Sequence, residues 1–153
     1  MQRWGGAEGG CFMSGGQDGV LRIWDARAQS SAYRVECHAS ERGTGAISCV
    51  EPAGQLLATA GADRRVCVLE PRSSFRVLYT FEDHSDFIYS LRAAGEVLLS
   101  GSGAGMLLCH SLVEGRLLYG MGANQGAVRA IETSGQHLVA AGDDGKCLIY
   151  GYM

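Results

Sequence analysis

SGGQDGVLRIWD, running from Ser14 to Asp25, is written three more times along this chain of 153 residues. TAGADRRVCVLE (Thr59 to Glu70), SGSGAGMLLCHS (Ser100 to Ser111) and AAGDDGKCLIYG (Ala140 to Gly151) align with it without gaps, at spacings of 45, 41 and 40 residues. Each copy reads as a strand ending in small residues, a Gly/Asp turn, and a strand of alternating apolar residues, which is one β-hairpin. Repeats of about 40–45 residues, each long enough for four strands, predict an all-β array of antiparallel sheet modules around an axis.

The same spacings bring the remaining strands into register. AISCVEP (Ala46 to Pro52), FIYSLRA (Phe87 to Ala93) and AVRAIET (Ala127 to Thr133) superpose, with Ile47, Ile88 and Val128 coincident, and Val50, Leu91 and Ile131 likewise. These are the expected first strands. Second strands carry Phe12, Leu57, Leu98 and Leu138; fourth strands read AYRVE (Ala32 to Glu36), RVLYTF (Arg76 to Phe81) and RLLYGM (Arg116 to Met121). Val35, Phe81 and Met121 then stand in equivalent places.

Composition narrows the function. Hydrophobic residues make up 46% of the chain, ordinary for a domain with a packed core, and 23 glycines against 2 prolines suit many tight reversals. A net charge of −3 argues against nucleic acid or an anionic membrane surface as partner. The six cysteines form no CxxC pair, and Cys49, Cys67, Cys109 and Cys147 fall inside expected strands, so a reducing compartment is expected, cytoplasmic and/or nuclear. No apolar run reaches the roughly 18–20 residues of a membrane span, and MQRWGGAEGG at the N-terminus lacks a signal-peptide core.

With these strands in register the chain resembles the WD-repeat β-propeller family, and Trp24-Asp25 matches its name-giving dipeptide. Leu69-Glu70, His110-Ser111 and Tyr150-Gly151 look like worn versions of it. The resemblance implies a buried tetrad in each blade: a His before the first strand, a Ser/Thr ending the second, an Asp in the next turn, and the Trp. His38, Thr59 and Asp63 supply three members, with Leu69 in place of Trp; His84 and Ser100 supply two, with Ala104 and His110 in the other places. Ser14, Asp18 and Trp24 supply three without a His, and the fourth repeat keeps Asp144 alone, with Tyr150 in the aromatic place. Each orphaned polar member costs about 1–3 kcal/mol if buried unpaired, so individually soft blades are expected.

Only ten residues precede Cys11, which leaves the first repeat no room for a first strand, and the last repeat stops after its third. The expectation is therefore an open arc of about 3.5 four-stranded blades. They are placed at approximately 1–37 (incomplete), 38–82, 83–121 and 122–153 (without its last strand). Such an arc would be part of a longer propeller whose remaining blades are its first partners. Alone it would expose blade faces and strand edges, and aggregate, dimerise or melt easily.

No motif carries chemistry. GMGANQG (Gly120 to Gly126) imitates a dinucleotide loop but leads into a strand, not a helix, and SGSGAG (Ser100 to Gly105) lacks the Lys of a phosphate loop. No GxSxG elbow occurs, adjacent Cys109 and His110 point to opposite faces of a strand, and His137 sits at a strand entry. Neither Cys/His spacing nor the separated Asp18, Asp63, Asp143 and Asp144 suggests a metal site. No catalytic, cofactor-binding or metal-binding residue is assigned.

The expected function is a non-catalytic protein-interaction platform. In this fold the loops entering first strands and the turns between second and third strands share one face. Those positions hold Gln17, Arg42, Ala62, Arg64, Asp86, Phe87, Tyr89, Gln125, Arg129 and Asp143. Phe87 and Tyr89 are the candidate aromatic anchors, and Arg64 and Arg129 suit a bidentate grip on an acidic or phosphorylated peptide. The repeats look most like those of the F-box/WD-repeat proteins, which implies the substrate-binding propeller of a Skp1–cullin ubiquitin-ligase adaptor, here without an F-box. The alternative is a scaffolding WD-repeat protein of an assembly unrelated to ubiquitin.

Overall fold

The computed structural model describes residues 2–4, 10–27, 30–40 and 43–151. The first sheet contains β1 (Gln2–Trp4), β2 (Cys11–Gly15), β3 (Val20–Asp25) and β4 (Ser31–Glu36), paired in that order. A two-stranded ribbon, β5 (Ala39–Ser40) with β6 (Gly43–Thr44), lies in the connection to the second sheet. That sheet comprises β7 (Ile47–Ala53), β8 (Leu56–Gly61), β9 (Val66–Glu70) and β10 (Arg76–Phe81), with a 3-10 turn at Pro71–Ser73 before β10. The third holds β11 (Ile88–Ala94), β12 (Val97–Ser102), β13 (Met106–Ser111) and β14 (Arg116–Gly122). The fourth has three strands among the described residues: β15 (Val128–Ser134), β16 (His137–Gly142) and β17 (Cys147–Gly151).

The architecture is the expected open arc of antiparallel blades, each a meander in which neighbours in sequence pair. One expectation is corrected. The first blade does have a first strand, because Gln2, Arg3 and Trp4 pair with Met13, Phe12 and Cys11. Three residues suffice to cover the inner edge of β2, where its sister strands run to seven.

Register repeats from blade to blade, down to its faults. Phe12 faces Trp24, Leu57 faces Leu69, Leu98 faces His110 and Leu138 faces Tyr150. Each long first strand also carries one extra residue at the same place, Ser48, Tyr89 or Arg129, where its pairing with the second strand shifts. Such a bulge turns the strand and re-aims the side chain it carries.

Blades adhere through cores that lie between them. Met13, Leu21 and Ile23 of the first sheet pack with Ile47, Leu57, Cys67 and Leu69 of the second. Val66, Val68 and Phe81 then meet Ile88 and Leu98, and Leu99 and Leu107 meet Val128, Ile131 and Leu138. Alternation along each strand places these side chains on both sheet faces, so every interior blade contributes to two cores.

One turn breaks the pattern. Gly19, Gly105 and Gly145 occupy equivalent left-handed positions, at φ +72°, +74° and +73°, and Arg64 occupies the fourth at φ +67°. A side chain at Gly105 would meet the carbonyl oxygen of Asn124 at 2.0 Å, whereas the second blade carries an exposed arginine at this place. Arg64→Gly is expected to stabilise the fold by about 1 kcal/mol by releasing left-handed strain. An unchanged or lower denaturation midpoint would show that the arginine is unstrained there.

Candidate functional site

The buried polar network differs from blade to blade. In the first, the Trp24 Nε1–H donates to Ser14 Oγ at 2.9 Å. Asp18 meets no histidine and instead grips Arg22 at 2.5 and 3.1 Å, which holds its carboxyl down to about 2. In the second, the fully buried His38 ring touches both oxygens of Asp63 through Nδ1 and Thr59 Oγ1 through Nε2, all at 2.9 Å. Burial works against a charge on this ring. The Asp63 hydrogen bond, joined by the side chains of Cys37 and Cys67, outweighs it and lifts the pKa to about 11.

The third and fourth blades contain partners that the sequence reading missed. His84 Nε2 bonds Ser100 Oγ at 2.7 Å as expected. Beside it, Asp83 reaches His110 Nε2 at 3.0 Å, and the His110 ring stacks on Phe81 with centroids 4.2 Å apart. The place vacated by Trp thus holds a second histidine, with its own acid supplied from one residue upstream of His84. In the fourth blade Asn124 takes the histidine place: its Nδ2 donates to Asp144 at 2.8 Å, and the Gln125 N–H donates to the other oxygen at 2.9 Å. The signal was available, since Asn124 precedes Val128 by the interval at which His84 precedes Ile88.

Of the proposed docking residues, Gln17, Arg64, Asp86, Phe87, Gln125 and Asp143 lie on the loops that carry these networks, whereas Tyr89 and Arg129, expected there too, lie just inside β11 and β15. One backbone bond recurs in three blades, Ala62 N–H to Ala46 O, Gly103 N–H to Phe87 O and Asp143 N–H to Ala127 O, at 2.8–3.0 Å. It ties each second-to-third turn to the entry of its own first strand. The bulged residues then meet across blades: the Arg129 guanidinium sits 4.0 Å from the Tyr89 ring centroid and bonds Asp143 at 2.7–2.9 Å. Gly103 closes the cluster, because a Cβ there would lie 2.5 Å from Asp86 Oδ2 and 3.3 Å from the Tyr89 ring. Phe87 stands beside it, 47% exposed.

The structure therefore gathers Asp86, Tyr89, Arg129 and Asp143. It leaves Gln17, Arg64 and Gln125 exposed on their own loops; Arg42 lies outside the described residues. The bidentate edge of Arg129 expected for a peptide is occupied by Asp143, so its part is to fix Tyr89 in place. Arg64 has no side-chain partner among the described residues. A cleft of about 390 Å³ runs along the inner strands beneath, lined in part by Ser48, Glu51, Tyr89, Ser90 and Arg129. Among the described residues no group of three or more His, Cys, Asp or Glu is arranged to hold a metal ion.

The family described as WD domain, G-beta repeat matches residues 7–25 and 30–69. A ribosome biogenesis protein WDR12 homolog of Nematostella vectensis is 29% identical over 102 residues, 65% of this chain and 24% of that protein. The chain thus spans about a quarter of this relative's length. Among solved structures, the computationally designed Ika4 protein superposes with a TM-score of 0.79 at 19% identity, over 94% of this chain and 86% of that one. The RRP9 WD40 repeats superpose with a TM-score of 0.76 at 20% identity, over 92% of this chain and 47% of that one. Residues 7–25 and 30–69 thus match the WD repeat, and the chain has the fold of an open arc of propeller blades.

Proposed function

We propose that this chain is a non-catalytic docking platform that works inside a multiprotein assembly, in the cytoplasm and/or nucleus. The observation that carries the reading is the ordered face around Tyr89. Arg129 and Asp143 immobilise one aromatic ring while Phe87 stays exposed next to it and Arg64 is exposed on the turn of the preceding blade. Rigid aromatics and arginine concentrate binding energy at interfaces, and a pre-fixed ring loses little entropy when a partner docks. Arg64, held at a left-handed turn position with no side-chain partner among the described residues, suits a carboxylate or phosphate on the partner.

The scaffolding alternative is favoured over the ubiquitin-ligase adaptor, whose only support is the wording of the repeats; the relative described above is named for ribosome biogenesis. Affinity capture from cells expressing the full-length protein, read by mass spectrometry, separates them. Recovery of cullin-ligase subunits supports the adaptor, and recovery of other assemblies supports the scaffold. Joint Phe87→Ala and Tyr89→Ala substitution is expected to reduce capture of the main partner by tenfold or more, the effect of roughly 1.4 kcal/mol or more. Undiminished capture by a folded double variant removes this face from the reading.

A further inference from the structure

We propose that Cys37 and Cys67 form a peroxide-oxidisable dithiol that closes into a disulfide, a modification site in the connection between the first and second blades.

Cys37 begins the connection after β4 and is half-buried, whereas Cys67 lies in β9 and is fully buried. The Cys67 S–H donates to the Cys37 carbonyl oxygen at 3.1 Å, and Cys37 Sγ lies 3.6 Å from Thr59 Oγ1. Thr59 and Cys67 face each other in the β8–β9 ladder, so both sulfurs border one threonine side chain. A carbonyl oxygen sits about 2.4 Å from its own Cα, which puts Cys67 Sγ no more than about 5.5 Å from Cys37 Cα. A disulfide asks for Cα atoms roughly 4.4–6.8 Å apart, so closing the bridge requires the Cys37 side chain to turn towards Cys67 and the connection to settle within that span. The third neighbour is the His38 ring, kept cationic by Asp63 and interacting with both thiols. Peroxide reacts with a thiol through its thiolate form. No other cysteine has this setting, since Cys11, Cys49, Cys109 and Cys147 have no histidine salt bridge against them among the described residues.

The chemistry balances with peroxide as oxidant. The Cys37 thiolate attacks one peroxide oxygen, the O–O bond breaks, and sulfenic acid forms while the other oxygen leaves as water after taking a proton. The Cys67 sulfur then attacks the sulfenic sulfur, an S–S bond forms, and the sulfenic oxygen leaves as a second water. The two sulfurs give up two electrons in all, which reduce the peroxide. The bridge replaces the Cys67 S–H bond to the Cys37 carbonyl and pins the connection to β9.

Treatment of the folded chain with hydrogen peroxide at neutral pH is expected to reduce the six free thiols to four. Peptide mapping should then recover a Cys37–Cys67 link. Cys67→Ser should halt the reaction at a Cys37 sulfenic acid trapped by dimedone, and Cys37→Ser should abolish dimedone labelling at Cys67. Since serine conserves size at both places, a circular dichroism spectrum unchanged from the parent qualifies each variant as folded. Oxidation that spares Cys37, or that links neither Cys37 nor Cys67 while the exposed Cys147 reacts, overturns the proposal.

Discussion

Asp63→Ala is expected to destabilise the protein by about 3–5 kcal/mol, the cost of breaking a buried ion pair by removing one partner. The His38 ring is entirely enclosed and Asp63 is only 10% exposed, so the pair is largely withdrawn from solvent. The ring also anchors more than itself. Nε2 holds Thr59 at the end of β8, and the Asp63 carboxylate accepts the Arg65 N–H that shapes the turn into β9. The direction with pH follows from the raised pKa of His38. Its contribution is complete below about 6.5, where even the unfolded histidine is charged, and is lost as pH rises towards about 11. Asp63, held below the ordinary carboxylate range by His38 despite its burial, contributes above about 3.8 and loses that as pH falls. Asp63→Asn, which keeps the shape and removes the charge, should therefore flatten the alkaline arm of a stability–pH curve. An alkaline arm of unaltered slope would mean that His38 is neutral in the fold.

The arc of blades was legible from sequence because its signal is repeated. Any one strand, such as AVRAIET, is ambiguous alone, but agreement at Ile47, Ile88 and Val128 ties it to two others. What escaped was whatever a single copy encodes. Gln2–Trp4 has no apolar alternation long enough to stand out, and it is a strand because β2 offers it an edge. The bulges at Ser48, Tyr89 and Arg129 leave no mark in composition, for any residue can be the extra one when the flanking pairs fix the register.

The same distinction governs the site. Phe87 and Arg64 could be placed on their loops, since loop position follows from strand order, whereas Tyr89 lies inside β11 as its bulged residue. That Arg129 would lie over Tyr89 could not be read, because it depends on the twist between adjacent blades, and its pairing with Asp143 depends on where the bulge aims its side chain. Substituted tetrads were harder still. Asp83 replaces the missing acid of the third blade from a different position and for a different histidine, a rearrangement that no comparison of aligned columns exposes. The expectation of unpaired polar groups is met at His84 Nδ1, His110 Nδ1 and Asn124 Oδ1, which are buried without a hydrogen-bond partner among the described residues, whereas His110 Nε2 and Asp144 are bonded. Their outcome matters for stability, since a satisfied network stiffens a blade that an orphaned one would soften.

Acidification from about pH 6.5 to about pH 4 is expected to remove about 3 kcal/mol of stability through His84, at roughly 1.4 kcal/mol per pH unit. Burial, and next the neighbouring His110, push the His84 pKa down to about 4, with Asp83 pulling weakly the other way. Between those pH values the unfolded chain takes up a proton that the folded ring refuses, so stability is full above 6.5 and falls with pH. His110, lowered by burial against the pull of Asp83, adds in the same direction. His38 does not contribute in this window, being charged in both states, and Asp63 remains ionised through most of it. Glu51, raised by burial, acts in the opposite sense at the acid end. The third blade is thus where the fold gives way first in acid. His84→Gln retains a group able to reach Ser100 Oγ while removing the titration, and its denaturant midpoint should vary much less between about pH 6.5 and about pH 4 than that of the parent chain. Parallel pH curves for the two proteins would place the acid sensitivity elsewhere, with His110 and its Asp83 partner as the remaining ring to substitute.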